Sequence, residues 1–301
     1  MEKLSEKKIS RALQDTEFFK TLEPAEMMYV LVSDIILRGD VKKSNFEYWL
    51  TQEERWPEIS AEDRMDQVLR VLEDESPSAA LQAFQKVGFM RFCMPRCFPI
   101  RKLMDKKTFY SIIDNFNQLE YRRDDLAFKL AVLMFSFDPL ATEETLYDAN
   151  FDQEAINWIC NLIYFYMEFI RLNTPKKLKS FVGKFGKDFY FDMNDYAWAI
   201  LKITKMRELK PLKSKDHVLS WMNQGVPLDA EDLELTREDI LEAGAESEDE
   251  VTAIQQLLIE HCQKKPLDNI RELELSLVKN LTQKEIDRTI RRVRKAKERR
   301  Y

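Results

Sequence analysis

Glycine stands at only six positions among 301 residues, far below the roughly 7% of average usage. The ten prolines are spaced along the chain, and Leu, Glu, Lys and Ala are common. Helices exclude Gly and Pro from their interiors and are punctuated by them instead. The chain is expected to be all-α. With 45% apolar residues it can bury a substantial core, and its length suits several small domains or one elongated one.

Periodicity supports this. Ser60 and Asp63 resemble a capping box ahead of Met65, Val68, Leu69 and Leu72 at i, i+3, i+4 and i+7. Pro77 starts a unit whose face is Leu81, Phe84 and Val87, with Gly88 placed to end it. Leu126, Leu130, Leu133, Met134 and Phe137 form a stripe that Pro139 is expected to stop. Ile156, Ile159, Cys160, Ile163, Met167 and Ile170 form a longer one, and Val251, Ile254, Leu257 and Leu258 another. The stretch "TLEPAEMMYVLVSDII", 21–36, reads as a helix start capped by Thr21, with Pro24 early, where its missing N–H costs nothing. No strand alternation and no Asn-Gly or Asp-Gly hairpin turn is present. Weak boundaries fall near 57–60, 173–177 and 209–215. The order suggests a string of helical layers, elongated rather than spherical.

No run of about 18 uncharged apolar residues occurs, so no membrane span is expected. The charged start "MEKLSEKKIS" lacks the apolar run of a signal peptide. Four cysteines suggest no disulfide framework, and a reducing cytoplasm is the simplest setting. The net charge of −6 weighs against sequence-independent nucleic-acid binding, but it is uneven. Residues 281–301 carry nine Lys/Arg against three Asp/Glu, leaving −12 on residues 1–280.

Catalytic signatures are missing. There is no phosphate-cradling glycine loop and no nucleophile elbow. His217 and His261 are far apart, and His261 fits a packing or surface role. Cys93 and Cys97 form a lone C-x-x-x-C pair, whereas a zinc site needs four ligands; buried thiols are the expected reading. Asp124–Asp125 and Asp192/Asp195 read as caps or solvated faces. No metal and no cofactor is expected.

The basic clusters carry more information. Arg91, Arg96, Arg101, Lys102, Lys106 and Lys107 share one window. Lys176, Lys177, Lys179, Lys184 and Lys187 share another, interleaved with Phe181, Phe185 and Phe189. Positive charge with aromatics suits RNA contacts; Phe in the core with Lys outside is the alternative. In the last helix Thr282 and Glu285 form a capping box. Ile286, Ile290 and Val293 make a narrow seam among Arg288, Arg291, Arg292, Arg294, Lys295, Lys297, Arg299 and Arg300. That helix suits an RNA surface or a partner helix.

Two windows resemble the class II CCA-adding tRNA nucleotidyltransferases and bacterial poly(A) polymerases. "EISAEDRMDQVLRVLEDESPSAALQAFQKVGFMRFCMP", 58–95, is similar to that family's neck-to-body passage, through Ile59-Ser60, Asp63-Arg64, Pro77, Ala80-Leu81, Gly88-Phe89 and Pro95. "GVPLDAEDLELTREDILEAGAESEDEVTAIQQLLIEHCQKKPLDNIRELE", 225–274, resembles its tail. Between them, 123–138 and 176–199 are similar to its body. The resemblance covers roughly 22–280 and rests on the order of the motifs. It implies an N-terminal arm at 1–20, neck-like helices at 21–75, a body-like domain at 76–210, a tail-like domain at 211–280 and a basic C-terminal helix at 281–301.

The departures bear on activity. The family's head, with paired aspartates for two Mg²⁺ ions, has no place before residue 21. "FSFD", 135–138, lacks the His of a metal-binding pair, and "LTREDI" with Arg237 replaces a small residue in the tail turn. In the family an acidic residue and arginines of the neck helix read the incoming base. Aligned on Pro24, this chain offers Glu23, Glu26 and Tyr29; ionised Glu only accepts hydrogen bonds, so the same reading is lost. Three functions follow: binding of tRNA or another structured RNA without catalysis, a protein-interaction module using the 286–293 seam, or a subunit served by a separate nucleotidyltransferase head. Nucleotide addition by the chain alone is the least expected.

Overall fold

The computed structural model describes residues 4–100, 102–119, 122, 124–205 and 214–298, and at 103, 214 and 295–298 the backbone alone. The protein is all-α, with no strand among the described residues. The chain divides into two compact units. The first is Met1–Tyr166 with Asp195–Leu209; the second is Met167–Asn194 with Lys210–Tyr301.

The first unit begins with α1 (Glu6–Gln14), α2 (Thr16–Phe19), α3 (Pro24–Arg38) and α4 (Lys43–Leu50). α3 is apolar nearly all round, and such a helix belongs in the interior. Met27, Met28, Val30, Leu31, Val32 and Ile35 are fully buried. The N-cap of α3 is Glu23 rather than the expected Thr21, with Pro24 as first helical residue. Thr21 is committed to the preceding turn, where its hydroxyl donates to the Phe18 carbonyl at 2.7 Å. α3 ends at Gly39, whose φ of 71° is a left-handed conformation that favours glycine.

Next come α5 (Ala61–Glu73), α6 (Pro77–Lys86), α7 (Phe89–Cys93), α8 (Leu103–Asn115), α9 (Leu126–Met134) and α10 (Pro139–Asp148). Ser60 caps α5 as expected, its Oγ accepting from the Asp63 N–H at 3.0 Å. Gly88 separates α6 from α7 with a φ of 84°. Trp49, Trp56, Phe89 and Phe92 pack as one aromatic cluster, Trp49 stacked on Trp56 at 5.4 Å. The stripe expected to run to Phe137 is shorter as a helix. α9 stops at Met134, and Phe137 instead packs on Phe98 and Phe109 from the turn that follows. Pro139 opens α10 rather than ending α9, because the Asp138 side chain accepts from the Leu140 and Ala141 N–H groups.

α11 (Gln153–Phe169) and α13 (Lys187–Thr204) each contain a border between the units. The second unit holds α12 (Pro175–Phe185), α14 (Ser214–Asn223), α15 (Arg237–Glu242), α16 (Glu248–Cys262), α17 (Arg271–Asn280) and α18 (Gln283–Glu298). Its C-terminal part has a core of Leu235, Ile240, Val251, Ile254, Leu258, Val278 and Ile286. Helices start after Ser60 and Thr174 in the stretches 57–60 and 173–177, and each stretch lies inside one unit rather than between the two. Most of the 209–215 boundary lies outside the described residues.

Candidate functional site

The resemblance places nucleotide-reading positions on the first two turns of α3, where each residue meets a basic partner. The Glu23 carboxylate accepts from Arg55 at 2.6 Å. The Glu26 carboxylate accepts from Lys8 Nζ at 2.6 Å and from the Glu23 N–H at 3.2 Å. The Tyr29 ring is covered by the Arg70 guanidinium, 3.5 Å from its centroid. The two acidic side chains are therefore engaged as acceptors, and the aromatic face is occupied. Lys8, Arg55 and Arg70 carry no signal in the sequence that links them to α3. They stand 18, 32 and 41 residues from their partners, and only the fold brings them there.

The first basic window has two parts. Arg96 is held by Asp148 at 2.7 Å and Glu144 at 3.0 Å, so its charge is balanced within the unit. Arg91 is exposed. Lys102, Lys106 and Lys107 are also exposed, and no ion pair joins them to a described carboxylate. Lys102 is the N-cap of α8. Lys102, Lys106 and Tyr110 are spaced by four and share one helix face, with Lys107 beside them. Tyr110 is 41% exposed. Arg101 lies outside the described residues.

The second window is less open than its composition suggests. Phe181 is buried, and the rings of Phe181, Phe185 and Phe189 pack on one another at 4.6–6.3 Å. Phe181 is inside, whereas Phe185 and Phe189 are half-buried. Lys187 reaches Asp232 at 2.6 Å and Asp229 at 3.4 Å. Lys179 donates to the Gln263 carbonyl at 3.1 Å and lies over Trp221 at 4.9 Å, and burial pulls its pKa down. Lys184 lies 4.4 Å from the Phe185 centroid. Lys176 and Lys177 are exposed in the first turn of α12, Lys177 donating to Asn173 at 3.2 Å.

Two of the three seam residues of α18 are covered within the second unit: Ile286 and Ile290 pack with Val251, Ile254 and Leu258 of α16, while Val293 is half-buried. Arg292 pairs with Glu260 at 2.8 Å and Arg294 pairs with Asp249. Arg291 is exposed. The Lys295 side chain lies outside the described residues.

The turn between α15 and α16 is clasped by charge. Arg237 pairs with Glu248, which lowers the Glu248 pKa through that hydrogen bond. Glu248, Asp249 and Glu250 fill the first turn of α16, complementing the helix dipole and repelling phosphate from that end. His261, half-exposed, bonds Asp268 at 2.7 Å.

All four cysteines are free. Burial pushes the Cys97 thiol up to about 11 and those of Cys160 and Cys262 up to about 12; Cys93 rises further for the same reason. Such thiols stay protonated and unreactive near neutrality. Asp125 caps α9 by accepting from the Phe128 N–H at 2.9 Å. Among the described residues no cluster of His, Cys, Asp and Glu has the arrangement of a metal site, and no helix is long and apolar enough to cross a membrane. Comparison with family models, curated proteins and solved structures finds no match for this chain.

Proposed function

We propose that residues 1–301 form a neck–body–tail scaffold of the tRNA nucleotidyltransferase type that binds tRNA or a related structured RNA without adding nucleotides on its own. The observation that carries the reading is the open face of α8. Three exposed lysines free of carboxylate partners stand beside a partly exposed tyrosine, and phosphate neutralisation with base stacking needs those groups. Lys176, Lys177 and Arg291 are secondary contacts. The loss of base selection is supported on α3, where Arg55, Lys8 and Arg70 engage Glu23, Glu26 and Tyr29. Four free thiols suit a reducing, cytoplasmic setting.

Labelled tRNA titrated with the protein at about 50 mM salt, where phosphate contacts hold, is expected to bind. Absence of binding there would refute the reading. Incubation with CTP, ATP, Mg²⁺ and tRNA is expected to leave the RNA 3′ end unextended, and extension would overturn the non-catalytic part.

A further inference from the structure

α1 and α3 flank an open groove of about 570 Å³. Its walls include Glu6, Ile9 and Leu13 of α1 and Ile36 and Leu37 of α3, and Leu37 is 69% exposed. Two arginines reach it. Arg38 is neutralised by Asp34, whose Oδ2 also accepts from the Lys42 N–H at 2.7 Å. That buried carboxylate is therefore satisfied and charge-balanced.

Arg70 is different. It is only partly exposed and makes no ion pair among the described residues. Its hydrogen-bond acceptors are neutral: Ser33 Oγ at 2.7 Å, Gln67 Oε1 at 2.6 Å and the Tyr29 carbonyl at 3.2 Å. One face of the guanidinium lies on the Tyr29 ring. A guanidinium has five N–H donors, and these three bonds leave Nε and one Nη2 donor unclaimed on a side chain that lines the groove. Burial works against its charge. Asp66 and Glu73 act on this charge through space without pairing with it, and burial outweighs them; a ligand anion that pairs directly would stabilise it further, and Arg matches the two oxygens of a carboxylate.

We propose that this groove binds a small amphiphile with a carboxylate head and an apolar chain. The head accepts from Arg70, and the chain lies along Ile9, Leu13, Ile36 and Leu37. The site is separate from the lysines of α8 and does not depend on RNA binding.

The test is a titration of the full chain with sodium decanoate, followed by the methyl NMR signals of those four residues. Saturable shifts confined to them are expected. Arg70→Met should weaken binding about tenfold or more, the worth of a hydrogen bond between charged groups. Decanol, with the same chain and no charge, should bind the wild type much more weakly than decanoate does. Leu37→Glu, at an exposed position, should lower decanoate affinity without changing the melting temperature, which keeps the test informative if Arg70→Met does not fold. The proposal is overturned if the four methyl signals do not move, if shifts spread over the surface without saturating, or if decanol matches decanoate. Unchanged affinity in Leu37→Glu would overturn it as well.

Discussion

Glu274 of α17 is wholly buried, and its carboxylate accepts from the Leu235 N–H at 2.8 Å. Burial raises its pKa above the ordinary glutamate range, outweighing the hydrogen bonds that favour the charged form. The sign of the pH effect follows. The folded state holds this proton more tightly than the unfolded one, so stability falls as pH rises from the ordinary value of about 4.3 through the raised one. Glu274→Gln keeps an acceptor for Leu235 and removes the buried charge. It should match or exceed the wild type at neutral pH, with the difference closing near pH 4. Glu274→Ala should cost about 1–3 kcal/mol by leaving a buried N–H without a partner. Urea melts at both pH values check this; a clearly destabilised Gln variant at neutral pH would contradict it. At this scale the sequence was partly legible. The resemblance singles out Glu26 and Tyr29, but the covering of Tyr29 by Arg70 depends on packing between α3 and α5, and no local pattern announces it.

Helix starts were legible because capping is local chemistry. Ser60, Pro77 and Thr282 all work as their side chains suggest. Ser60→Ala should cost about 1 kcal/mol, read as a lower urea midpoint with an unchanged slope. The misread starts and stops share one cause, a second turn competing for the same residues. Thr21 serves α2's exit, and Asp138 starts α10 just after α9 ends. In the sequence the last helix is an amphipathic seam that suits RNA or a partner helix, and a seam does not name its partner. α16 is that partner. Ile286→Ala should therefore destabilise the second unit by about 2–3 kcal/mol, and a chain ending before Thr282 should show a lower melting temperature and bind a hydrophobic dye. An unchanged melt for either would contradict the packing.

Across the whole molecule, helical class followed from glycine scarcity and apolar periodicity, and the structure is all-α. The charge distribution was legible only as totals. Counting basic residues could not distinguish Arg96, Lys187 and Arg294, each held by a carboxylate, from Lys102, Lys106 and Lys107, which are open. Pairing across dozens of residues decides which cations remain for a ligand. The central claim, RNA binding through α8, predicts a salt dependence set by those open lysines. Each phosphate neutralised contributes roughly 0.7–0.9 to the slope of log K against log salt. The direct measurement is tRNA affinity across a salt series for the wild type and for the Lys102→Ala, Lys106→Ala, Lys107→Ala triple variant. The account predicts that wild-type binding weakens steeply with salt and that the variant's slope is shallower by about 2. Equal slopes for the two proteins, with both folded, would contradict it.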